Sequence, residues 1–222
     1  RVKGLSTFNE RSHGVRKIWE GFKYVTAKQG LLANSAAMVM GFAKTSPEFE
    51  TPDMQFFMTP ASFKNAGDRV LDQEPGMTVG PCQLRPASRG SIHIQSADPN
   101  APPAIRPNLL AVKSDGDAFV KAIAMIREIA AQPALQPYLS FEMNPGPGCA
   151  SDDEVLDYVR QTGMTVYHPV GTAKMGPDGD PMAVVDPRLR VRGIEGLRVV
   201  DASIMPNLVS GNTNAPVIMI AE

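Results

Sequence analysis

The sequence predicts an α+β chain. Two observations carry this: short apolar stretches that read as antiparallel strands, and a few separate segments with helical spacing set apart from them. A third is the lack of any internal repeat, which sets aside solenoids and propellers. With 222 residues, 43% of them hydrophobic, the chain can bury a sizeable core.

The elements follow in order. Residues 15–28, "VRKIWEGFKYVTAK", place Val15, Ile18, Trp19, Phe22 and Val25 on one stripe and Arg16, Lys17, Lys23 and Lys28 off it, an amphipathic helix stopping near Gly30. "MQFFM", Met54 to Met58, follows Thr51-Pro52-Asp53 and is too short and apolar for a surface helix, so it reads as a buried strand. Residues 77–86 and 89–99 read as a strand pair joined through Pro86 to Gly90, with Ile92 and Ile94 on one face and His93 and Gln95 on the other. Pro99, Pro102, Pro103 and Pro107 make 97–110 a surface loop. A helix then starts at Ser114, with Asp117 as capping partner and Phe119, Ile123, Ile126 and Ala130 at helical spacing up to Pro133. After a "NPGPG" loop, Ser151 and Glu154 open a helix over 151–163 that Gly163 stops. "LRVR" and "LRVVDA" read as short strands around a Gly193–Gly196 turn, and Asn214, Ala215 and Pro216 begin a last helix.

Charge and composition exclude several classes. The 22 Lys and Arg against 23 Asp and Glu leave a formal charge of -1, with no basic run to neutralise a phosphate backbone, so no nucleic-acid partner is expected. "AAMVMGFA" and "APVIMIA" are far shorter than the roughly 20 residues that span a bilayer, so no transmembrane segment is expected. Cys82 and Cys149 form no pair motif and read as thiols of a cytoplasmic protein, with peripheral membrane association left open. His13, His93 and His168 lack metal-site spacing, so no metal is expected. Neither G-x-S-x-G, G-x-x-x-x-G-K-[ST], H-E-x-x-H nor G-x-G-x-x-G occurs. The chain opens at Arg1 and stops at Glu222 inside a helical pattern, so it is read as a piece of a longer protein.

Unusual residues cluster in three blocks near the end: "VYHPVGTAKMG", "VVDASIMP" and "VSGNTNAPVIMI". In this order they resemble the C-terminal part of the GMC (glucose-methanol-choline) flavin oxidoreductases, and weaker similarity runs upstream through "PDMQFFMTPASF" and "RGSIHIQSADPNAPPAI". The resemblance implies an antiparallel sheet of about six strands backed by helices, without the N-terminal FAD-binding Rossmann half. It implies a substrate-binding domain over 1–164 and a segment over 165–222 that returns to the absent FAD domain. The implied activity is oxidation of an alcohol by proton abstraction and hydride transfer to flavin N5. FAD would be held by the full-length protein and not retained by this piece, which would be inactive alone.

By matching position, the resemblance makes His168 the catalytic base, a role that neutral imidazole suits, and Asn212 its non-titrating partner that orients the substrate hydroxyl. Thr213 and Asn214 become flavin contacts at a helix start, and Asp201 and Ala202 approach the cofactor. Choline-oxidising relatives usually carry glutamate where this chain has Met38 and histidine where it has Phe57. Met38 gives a quaternary ammonium neither carboxylate nor aromatic cage, so an uncharged, rather apolar alcohol is expected.

The residues alone also admit plainer roles. His168 can be a structural residue at a strand end, Asn212 a turn residue or cap, and Asp201 a cap of the following turn. Met38, Met40, Met54 and Met58 read as core filling, His93 as lying on an outer sheet face and His13 as surface. Two functional rivals stand: a non-enzymatic ligand-binding domain, and a lyase of the same family that cleaves cyanohydrins.

Overall fold

The structure, a computed structural model, describes residues 1–35, 37–65 and 70–222. The chain divides into two compact units: Arg1–Cys82 with Asp117–Met164, and Gln83–Gly116 with Thr165–Glu222. The α+β class predicted from the sequence is the class observed. The seven described strands divide among a three-stranded sheet and two ribbons.

The first unit is built on β1 (Val39–Ala43), β2 (Met54–Thr59) and β5 (Thr78–Gln83), in the order β1-β2-β5. β1 and β2 run antiparallel, with Met40 opposite Phe57 and Phe42 opposite Gln55. Alternation along β2 puts Met54 and Phe56 on one face, where they pack on Ala118 and Ala122 of α3 (Lys113–Ala130), with Val79, Met125 and Ile126 around them. Of the four methionines read as core filling, Met54 is buried and Met58 half-buried, whereas Met38 and Met40 are exposed, because the β1 strand that carries Met40 has no layer over it among the described residues. α4 (Asp152–Thr162) starts as predicted: the Ser151 hydroxyl accepts from Glu154 N–H and the Glu154 carboxylate accepts from Ser151 N–H.

The N-terminal segment forms α1 (Phe8–Arg11) and α2 (Gly14–Ala27). Asn9 is fully buried and ties α1 down, donating to the Ser62 and Asp72 carbonyls at 2.7 and 2.9 Å and accepting from Ser62 N–H at 2.9 Å. These contacts border the ribbon of β3 (Phe63–Asn65) and β4 (Val70–Leu71). α2 occupies the predicted residues but faces the opposite way from a core helix: Glu20 is its buried residue, and the apolar stripe is exposed. The Glu20 carboxylate accepts from Leu31 N–H at 2.8 Å and pairs with Lys23 and Arg11, which together hold it down to about 2. Gly30 precedes Leu31 at φ +86°, and a Cβ there would strike the Glu20 carboxylate.

In the second unit, the expected pairing of 77–86 with 89–99 is not formed. β6 (Ser91–His93) pairs with β7 (Ala104–Arg106), which lies inside the stretch read as a loop, and Ile92 stands opposite Ile105. Pro103 and Pro107 bracket β7, so the prolines frame a short strand instead of abolishing it. His93 is exposed, as read. The connection before β6 is fixed by Asp115, which is 1% exposed. Its carboxylate accepts from Ala87 and Ser88 N–H, both at 2.8 Å, from the Ser88 hydroxyl and from Gln83 Nε2 at 3.1 Å. The α3 start therefore differs from expectation: the helix begins at Lys113, and its first-turn acid, Asp115, holds the loop.

The strands expected at "LRVR" and "LRVVDA" shrink to isolated bridges, Val185 with Val191 and Arg190 with Arg198. Leu189 at φ +65° turns the chain out of extended geometry, and Gly193 and Gly196 at φ +78° and +74° make the turn between them. Leu84, Ala183, Val185, Ile204 and Met205 are the buried apolar residues among those described in this unit.

Candidate active site

The three sequence blocks near the C-terminus meet within the second unit. Ala173 N–H donates to the Ser203 carbonyl at 3.0 Å and Met175 N–H to that of Ile204 at 2.7 Å, laying the first block along the second. Gly171 makes that approach possible. It sits at φ +88°, and a Cβ on it would stand 3.3 Å from the Met205 carbonyl oxygen.

The third block closes on His168 from both ring nitrogens. Nδ1 lies 2.8 Å from Thr213 Oγ1 and Nε2 lies 2.9 Å from Asn212 Nδ2. With the amide nitrogen donating to it, Nε2 is the acceptor nitrogen, so Nδ1 carries the proton and donates to the Thr213 hydroxyl. This tautomer presents a lone pair where a base needs one. The gap between Nε2 and Asn212 leaves no room for a further atom, so a hydroxyl delivered to Nε2 takes the place of the amide there. His168 is half-buried and Thr213 is buried.

The backbone beside both partners is strained. Tyr167, immediately before His168, has φ +61°, and Ser210, two residues before Asn212, has φ +57°. Non-glycine residues in this region cost about 1–2 kcal/mol each and hold only where surrounding contacts impose them. The contacts at Ser210 are visible: Arg85 Nε donates to its hydroxyl at 2.9 Å, and Arg89 donates to Asn207 at 2.8 Å. Both arginines flank the loop that Asp115 ties down. Burial raises the Asp115 carboxyl, but the Ser88 hydroxyl and the loop N–H groups outweigh it and leave the group below its usual range.

α5 (Asn214–Ala221) starts directly after Thr213. Thr213 occupies its N-cap position but makes no side-chain cap bond, because its hydroxyl faces His168. The Ala215 N–H thus lacks the usual side-chain oxygen and Pro216 has no N–H to offer, so the Asn214 and Ala215 N–H groups of the first turn suit an electron-rich ring edge or an anion. Asp201 is committed locally: it accepts from Ser203 N–H at 2.8 Å and from the Ser203 hydroxyl, which pull its carboxyl below the usual range. Ala202 begins the short helical turn that Asp201 caps.

The structure thus brings His168, Asn212 and Thr213 together, with Asn214 next in chain. Met38 and Phe57 belong to the other compact unit, where Met38 N–H donates to the Met58 carbonyl at 3.0 Å and Phe57 is half-buried on β2. Sequence reasoning missed Asp115, Arg85 and Arg89 as supports of the Asn212 segment, since only the folded loop joins them to it. Among the described residues no group of three or more His, Cys, Asp or Glu could hold a metal. No described helix is long and apolar enough to cross a membrane.

Comparison with known proteins gives a consistent set. The family model described as GMC oxidoreductase matches residues 86–221. Over 201 residues the chain is 45% identical to an alcohol dehydrogenase (acceptor) of Pseudomonas putida, covering 90% of this chain and 36% of that protein. It is 41% identical to the mitochondrial choline dehydrogenase of Homo sapiens over 97% of this chain and 36% of the relative. Among solved structures, pyridoxine 4-oxidase from Mesorbium loti superposes with a TM-score of 0.75 at 29% identity, over 84% of this chain and 36% of that one. Formate oxidase of Aspergillus oryzae superposes with a TM-score of 0.86 over 100% of this chain and 43% of that one, at 22% identity, a likeness of fold. The chain spans 36% of the length of these two curated relatives.

Proposed function

Since the chain belongs to the GMC oxidoreductase family, we propose that it forms the substrate-binding and base-carrying part of an FAD-dependent alcohol oxidoreductase, with the FAD domain supplied by further residues of the same protein. The observation that carries this is the His168 ring held between Asn212 and Thr213 at 2.9 and 2.8 Å. FAD, when bound, supplies the acceptor for the hydride leaving the alcohol carbon.

The chain's own residues do the rest. Thr213 accepts from Nδ1 and holds the ring in place, while the Asn212 amide nitrogen, which can only donate, selects the tautomer with Nε2 unprotonated. An alcohol hydroxyl reaching Nε2 displaces the Asn212 amide, whose N–H then donates to the substrate oxygen while Nε2 takes the hydroxyl proton. Asn212 thereby orients the oxygen without competing for the proton. The uncapped N–H groups of Asn214 and Ala215 suit the pyrimidine edge of the flavin, where negative charge gathers on reduction. Asp201, already used by Ser203, would act toward the cofactor by shaping the turn at Ala202.

The substrate is read as an uncharged, rather apolar alcohol. Met38 and Phe57 are apolar and offer a quaternary ammonium no carboxylate. The partition of roles, 1–164 for substrate and 165–222 for the base and the return to the FAD domain, belongs to this reading.

Anaerobic mixing of the full-length flavoprotein with a panel of aliphatic alcohols, aromatic alcohols and choline tests it. Bleaching of the flavin by the uncharged alcohols, faster than by choline, is expected. Asn212→Ala should slow bleaching by about tenfold to a hundredfold. Absence of bleaching with every alcohol removes the oxidoreductase reading, and preference for choline removes the substrate assignment.

A further inference from the structure

We propose that α2 seats the protein on an anionic lipid surface, lying in the plane of the interface with its apolar stripe in the acyl boundary. Val15, Ile18 and Val25 are 81%, 74% and 73% exposed, and Trp19 and Phe22 stack at 5.3 Å on the same face. This orientation is imposed by the fold. The Glu20 carboxylate is locked inward by Leu31 N–H, Arg11 and Lys23, which turns the opposite side of the helix to the outside.

Charge selects the occupant. At about 100° per residue, Arg16 borders one edge of the stripe, next to the Lys23 that pairs with Glu20, and Lys17 lies toward the other, with Lys28 following at the left-handed C-cap. Glu20, the only acid of α2, is spent inside, so the outward charge of the helix is positive in a chain whose formal charge is -1. β1 gives the contrast: Val39, Met40 and Phe42 are 55%, 55% and 53% exposed, but "VMGFA" carries no charge. That is the composition of a face covered by protein or substrate.

A protein surface closing over α2 would have to desolvate Arg16, Lys17 and Lys28 or supply acids to each. Anionic headgroups meet them at water level while the lysine stems lie along the apolar face. A large apolar moment, a tryptophan on the apolar side and cations flanking it are the features of interfacial helices. The 14 residues of α2 rise about 21 Å, short of the ~30 Å hydrocarbon core, so the helix lies flat.

The test is flotation of the full-length protein with vesicles of phosphatidylglycerol and phosphatidylcholine in equal parts, against phosphatidylcholine alone. The protein should float with the first, stay behind with the second, and be released by high salt. Trp19→Ala with Phe22→Ala, and separately Arg16→Glu with Lys17→Glu, should each cut the bound fraction about tenfold with an unchanged thermal midpoint. No flotation, or equal flotation of both variants, overturns the proposal. So does a lowered thermal midpoint in the Trp19 variant, which marks the stripe as covered by the protein's own chain. A dimer that becomes a monomer in that variant assigns the stripe to a second copy and overturns it too.

Discussion

Thr213 is where the sequence and the structure assign different partners to one side chain. Its place in "GNTNAP" points to the flavin, while its hydroxyl stands 2.8 Å from His168 Nδ1. If that contact holds the imidazole in its working orientation, Thr213→Val should slow flavin reduction about tenfold with KM little changed, and Thr213→Ser should restore it. Single-turnover kinetics on the full-length protein reads both. Asp115 is the residue whose loss should travel furthest. Asp115→Asn keeps one acceptor oxygen for four donors and turns an amide N–H on the rest, so unfolding in urea should show a loss of about 2 kcal/mol. Because Asp115 holds the loop flanked by Arg85 and Arg89, which reach Ser210 and Asn207, the same variant should also slow reduction.

Among the elements, the segment from His168 to Met175 depends on backbone geometry that glycine supplies. Gly171→Ala places a Cβ at φ +88° against the Met205 carbonyl, and thermal melts should report a loss of about 1–2 kcal/mol. How far each element was legible follows from how local its causes are. α4 was readable end to end, because Ser151, Glu154 and Gly163 satisfy the helix termini within the helix's own sequence. β6 was readable as a strand but not its partner, since the choice of β7 is made by the Asp115-bound turn that precedes β6. The strands expected at 189–192 and 197–202 failed at Leu189, whose positive φ no propensity announces. The stripe of α2 was plain in the sequence, whereas the direction it faces is decided by Glu20 meeting Leu31 and Arg11, contacts between separate segments.

At the scale of the whole molecule, acid should unfold the chain through carboxylates whose folded values lie low. Glu20 falls from 4.5 to about 2 through Leu31 N–H, Lys23 and Arg11, and Asp186 from 3.8 to about 2, chiefly through Arg190. The unfolded chain therefore binds these protons first, so their stabilisation is whole above pH 4.5 and lost as pH falls toward 2. Thermal midpoints should be flat above that range and decline within it, with a shallower slope in Glu20→Gln. The candidate site was legible in outline because three blocks of unusual residues mark it, and they converge in one unit through contacts such as Ala173 to Ser203 and Asn212 to His168. Its supports were not, because Asp115, Arg85 and Arg89 look like ordinary surface polars until folding buries the first against the 86–88 loop and brings the two arginines to Ser210 and Asn207. The central claim is that His168 accepts the alcohol proton, and anaerobic stopped-flow reduction of the full-length flavoprotein by an uncharged alcohol tests it most directly. His168→Ala should reduce at least about a hundredfold more slowly than the unsubstituted protein, and reduction at an equal rate would contradict the account.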